Sequence, residues 1–184
     1  MIDAAQIALA GAGAAITADS DRALSFGGDP SVTVPPGAPV VSDPVDLKVA
    51  PLSSVAVSLF LPEQTPLTTV HWEGVQTAFI SPEGNFVGDA DMKSDSTLKV
   101  RLFLSGIMVE APSNARAVVA FGDSITDGAA SAPDANHRWP DILAERLAQA
   151  DGAPVAVLNQ GISGARVLSD RMGVNALAAS LATC

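Results

Sequence analysis

The chain has 184 residues, 48% of them hydrophobic and 16% charged, enough for one large domain or two small ones with a true core and too apolar for a disordered chain. Ten Lys and Arg against twenty Asp and Glu leave a net charge of −10, which repels phosphate backbones and anionic lipid, so nucleic acid is not expected as a partner. The single cysteine, Cys184, is the last residue, so no disulfide can close within the chain and no thiol nucleophile is expected there.

The opening stretch MIDAAQIALAGAGAAITADSD has a small-residue apolar run like the middle of a secretion signal. Asp3 stands where a basic residue should precede it, so no cleaved signal is expected. No run reaches the ~18 apolar residues of a membrane-spanning helix, and a soluble chain is the expectation, with the compartment left open and secretion included.

Up to residue 112 the apolar pattern has a period of two. Val45, Leu47 and Val49 alternate with Asp46 and Lys48; Val55, Val57, Leu59 and Leu61 alternate with Ala56, Ser58 and Phe60; and Leu98, Val100, Leu102 and Leu104 repeat the pattern. Such alternation marks strands with one buried face, and the turn formers in GGDPS, VPPGAP and SPEGN separate them. Residues 1–112 are therefore expected to form an antiparallel β-sandwich or jelly roll. His71-Trp72 falls in this β-rich part and reads as a strand or loop pair.

After the linker Glu110–Asn114 the pattern changes, and residues 113–184 are expected to form a second, α/β domain. Apart from Arg116, Ala115–Phe121 is continuously apolar, as in a strand covered on both faces. Trp139, Ile142, Leu143 and Leu147 then fall on one helical face, with Pro140 in the first turn and Gly152 at the end. Pro154–Leu158 reads as a second buried strand, which completes a βαβ unit.

Both strands run into loops of matching character, GDSITDG (122–128) and NQGISG (159–164). In a parallel pair these loops open at the same sheet edge, where α/β proteins keep their chemistry. A serine hydroxyl there can attack a carbonyl carbon, while its own N–H and that of a glycine hold the oxyanion. Ser124 is the candidate nucleophile and Gly161 the candidate second donor. Asp123 and Asp127 are expected to support the loop. Arg166 is expected to pair with Asp170. No His, Cys or carboxylate cluster has metal-ligand spacing, so no metal is expected.

Phe121-Gly-Asp-Ser124-Ile-Thr-Asp-Gly128 resembles the first block of the GDSL, or SGNH, hydrolases, with Ile125 in place of the Leu, and Asn159-Gln-Gly161-Ile-Ser-Gly164 resembles their second block. The resemblance implies a three-layer α/β (flavodoxin-like) domain that hydrolyses carboxylic esters of sugars, lipids or aryl groups without a cofactor. It gives Ser124 the nucleophile's role and Gly161 an oxyanion donor's. The whole chain looks like the bacterial subgroup with a β-rich domain ahead of the hydrolase domain.

The family pattern also calls for a Gly-x-Asn block and an Asp-x-x-His pair, and the chain carries about seventy residues of that domain. Gly173-Val-Asn175 and Asp134-Ala-Asn-His137 match in letters. Asn175 follows no buried strand and His137 precedes the expected helix, so the first reads as a surface helix cap and the second as a solvent-facing residue, with lesser roles as oxyanion donor and general base. Low activity alone, and self-association or a completing chain, are expected. One alternative is a non-catalytic ligand- or carbohydrate-binding β-sandwich carrying a degenerate hydrolase remnant. Another takes GDSITDG as a phosphate-binding loop, which lacks the usual Lys.

Overall fold

In the computed structural model, which describes residues 1–67, 70–170 and 175, the small-residue run near the start forms a strand, β1 (Ala4–Leu9). Its alanines allow close packing, and Ala5 and Ala8 are buried. β1 is the middle of a three-stranded antiparallel sheet between β2 (Arg22–Ala23) and β3 (Val55–Phe60), with Ala4 opposite Phe60 and Leu9 opposite Val55. Ser20 fixes its end: the hydroxyl accepts the Leu9 N–H (3.0 Å) and donates to the Thr17 carbonyl (2.6 Å).

Four short strands follow. β4 (Val70–His71) pairs antiparallel with β7 (Arg101–Leu102), and β5 (Ala78–Ile80) pairs with β6 (Ser96–Leu98). The alternation at 45–49 forms no strand. Leu47 N–H bonds locally to the Val45 carbonyl (3.1 Å), and Arg22 Nε donates to the Asp46 carbonyl (2.8 Å), so a side chain and not a ladder holds this extended segment. The run from Leu98 to Leu104 is likewise split between β6 and β7, and Phe103 stops it with φ +59°. The chain is strand-rich, with no closed barrel among the described residues.

The C-terminal pattern folds as a parallel pair. β8 (Arg116–Gly122) and β9 (Val155–Gly161) run in register from Arg116 opposite Val155 to Gly122 opposite Gly161. Between them lie a one-turn helix, α1 (Ser124–Asp127), and α2 (Trp139–Ala148), which packs against β9. α2 begins where Pro140 and Asp141 favour it: Pro needs no intrahelical donor in the first turn, and Asp141 Oδ2 accepts the Arg138 N–H (3.0 Å). The expected coverage of β8 on both faces is corrected: Val118, Val119 and Phe121 are exposed, as is Leu158 on β9, because two strands and one helix leave much of the sheet open.

The chain divides into two compact units, but not at the change of pattern near 112. One comprises Met1–Leu67 and Phe79–Thr97, the other Thr68–Ala78 and Leu98–Cys184. The β4–β7 ribbon therefore belongs with β8, β9 and the helices. None of the described helices is long and apolar enough to cross a membrane.

Candidate active site at the end of the parallel pair

The ladder between β8 and β9 ends with Ile162 N–H donating to the Gly122 carbonyl at 3.0 Å, so both chains leave the sheet side by side. On the β8 side the exit is a sharp turn. Gly122 approaches Thr126 so closely that a Cβ would overlap the threonine side chain, its Cβ included at 2.8 Å. Asp123 caps α1, its carboxylate accepting the Ile125 N–H at 3.0 Å. Gly128, at φ +118°, closes the turn, and its N–H and that of Ala129 both reach the Ser124 carbonyl (2.9 and 2.8 Å). Ser124 is thus the first residue of α1 instead of a loop residue. It is half-buried, and neither its N–H nor its hydroxyl is hydrogen-bonded among the described residues.

Gly161 is placed against the Ser124 turn. It is the last residue of β9, buried, with its N–H donating to Asn159 Oδ1 (3.0 Å). A Cβ there would strike the Asp127 backbone, including its Cα at 2.5 Å and the Thr126 carbonyl carbon at 2.8 Å. Its lack of a side chain lets the Ser124 turn lie directly on β9. Asn159 ties the same layer from its other end, donating from Nδ2 to the Thr126 carbonyl at 2.8 Å. In the loop beyond Ile162 the N–H of Gly164, at φ +77°, has no hydrogen-bond partner among the described residues.

Asp127 is the most deeply buried charged group of the turn. Its side chain is 3% exposed and lies 2.6 Å, Oδ1 to Nε2, from His71, whose ring is 36% exposed. With the carboxylate ionised, the ring N–H donates. Arg101 sits opposite His71 in the ribbon. Burial pulls the Arg101 guanidinium below its usual pKa, the Arg138 charge adds to that pull, and the Asp127 carboxylate opposes it. Arg138, also buried, packs its Cγ 2.6 Å from where a Cβ of Gly128 would be and donates from Nη2 to the Gly74 carbonyl (3.2 Å).

The other candidates lie apart from this arrangement. His137 is exposed, and no hydrogen bond joins it to Asp134 or Ser124 among the described residues. Asp134 instead accepts from Thr77, from the N–H at 2.7 Å and the hydroxyl at 2.6 Å, and these bonds hold its carboxyl below the usual pKa. Asn175 donates its backbone N–H and side-chain amide to Asp170 Oδ1, both at 2.8 Å. Asp170 therefore serves Asn175, and no ion pair joins it to the exposed Arg166 among the described residues. Gly173, the expected helix over 176–181 and Cys184 lie outside the described residues.

Sequence reasoning missed the partnership of His71 with Asp127 and the clamp made by Asn159. Contacts across 56 and 33 positions leave no local signal. No curated protein matches the chain. Residues 118–182, which carry most of β8, the Ser124 turn and β9, match the model of the GDSL-like Lipase/Acylhydrolase family.

Proposed function

We propose that the protein is a carboxylic ester hydrolase in which the Ser124 hydroxyl attacks the acyl carbon and the backbone N–H groups of Ser124 and Gly164 hold the resulting oxyanion. The observation that carries this reading is the in-register end of the parallel pair at Gly122 and Gly161, from which two loops emerge together, each with an N–H that has no other partner among the described residues. Such donors stabilise charge that develops only in the transition state, typically by about 3–4 kcal/mol each. The acyl group passes to Ser124 Oγ, the alcohol leaves with a proton, and water releases the acid. The reading takes β8, α2 and β9 as the opening βαβ unit of a three-layer α/β hydrolase and the N-terminal strands as a jelly-roll-like module.

No side chain accepts the Ser124 hydroxyl proton among the described residues, so the expected turnover of these 184 residues alone is low. Absence of a triad member typically costs about four orders of magnitude. The test is hydrolysis of a short activated aryl ester. Slow release above buffer that Ser124→Ala removes and His137→Ala leaves unchanged is the expected result; release that survives Ser124→Ala would overturn the assignment.

A further inference from the structure

A one-turn helix has no independent stability, because nucleation costs more than its few internal bonds return. The Ser124 turn must be held from outside. Part of that hold comes from β9, through Asn159 and Gly161. The rest comes from a segment far away in sequence. Residues 71–77 run along residues 127–138 and are fastened at five points: His71 to Asp127, the Gly74 carbonyl to Arg138, the Val75 carbonyl to the Asp134 N–H (3.0 Å), Gln76 Nε2 to Asn136 Oδ1 (3.2 Å), and Thr77 to Asp134. Val75 takes φ +49° within this segment, a conformation that a β-branched residue holds only when its surroundings impose it.

Of the five fastenings, only the first reaches α1 itself. Asp127 lies three residues after Ser124 in the same turn, so the direction of its side chain and the path of the Ser124 backbone are fixed together. A buried carboxylate also requires a donor to stay where it is. We propose that His71 is a positioning residue for the nucleophile: by donating to Asp127 it holds the turn in the one arrangement that presents the Ser124 hydroxyl and N–H to an ester. The role requires only a donor at the position of Nε2. It rests on the reading of Ser124 as nucleophile.

The test combines two readouts on the full chain. One is the rate at which a fluorophosphonate modifies Ser124; the other is amide hydrogen exchange at residues 124–128 against that of β8 and β9. His71→Ala and Asp127→Ala should each slow modification at least tenfold and speed exchange in the turn by a similar factor, with the strands unchanged. The double variant should be no slower than the worse single one, since both remove the same bond. His71→Gln, which keeps a side-chain N–H donor, should recover most of the rate, and it serves as the decisive variant should His71→Ala fail to fold. Modification within twofold of the parent in His71→Ala, effects that add in the double variant, or a His71→Gln no better than His71→Ala would overturn the proposal. If the parent chain is not modified at Ser124 at all, the nucleophile reading fails, while exchange in the turn still decides whether His71 holds it.

Discussion

A methyl group on Gly161 would occupy the space of the Asp127 backbone, so at this position one hydrogen atom decides whether the Ser124 turn can rest on the sheet. The neighbour is main chain and cannot rotate away. Gly161→Ala is therefore expected to destabilise the protein by about 1–3 kcal/mol and to displace the turn, measured as a shifted urea midpoint and as slower modification of Ser124. A second residue-scale expectation concerns Asp134. Donation from the Thr77 hydroxyl and N–H lowers its folded pKa, the hydroxyl contributing most. A depressed carboxyl stabilises the fold above the unfolded value of about 3.9, and that contribution disappears as pH falls through the folded pKa. Thr77→Val should raise the Asp134 pKa part of the way back toward its ordinary value in a carboxyl-detected NMR titration; an unchanged pKa would show that the hydroxyl is not the cause.

Among the elements, α2 is the one whose start is set by its own residues. Asp141 accepts the Arg138 N–H and lies 3.5 Å from the Arg138 side chain, at the end of the helix where a negative charge is favoured. Asp141→Ala is expected to cost about 1 kcal/mol in thermal or chemical unfolding, with no change in the strands. β8, α2 and β9 were legible in the sequence because their signals are local: a continuous apolar run, an apolar helical face with Pro140, and a second apolar run. The strand pattern before residue 112 was legible only in part. Alternation shows that a segment is extended with one apolar face, but not which backbone will pair with it, and Val45–Val49 meets an arginine side chain in place of a strand. The site divides the same way. Ser124 at a strand end follows from the local pattern, whereas His71 reaches Asp127 only through the pairing of β4 with β7.

For the whole molecule, the two-stranded parallel sheet matters most. Each of its strands has one unpaired edge among the described residues, and Val119 is 56% exposed, with Val118, Phe121 and Leu158 also at the surface. Open edges with apolar side chains recruit further strands, so self-association is expected. Sedimentation velocity should show mass rising with concentration, and Val119→Lys should reduce it; a single monomeric species across the range in both proteins would contradict this. The division of the chain into units gives the β4–β7 ribbon to the same unit as the Ser124 turn. A piece begun at residue 113 would thus lose His71 and Arg101, and with them the donor that Asp127 requires.

In the proposed function, the turn at the end of β8 presents a serine nucleophile. The most direct test is to expose the full chain to a fluorophosphonate probe and locate the adduct by peptide mass spectrometry. One phosphonyl group per chain on Ser124, added slowly and absent from Ser124→Ala, is the expected result. Modification at another residue, or adduct formation unchanged by Ser124→Ala, would show that the chemistry does not reside in this turn.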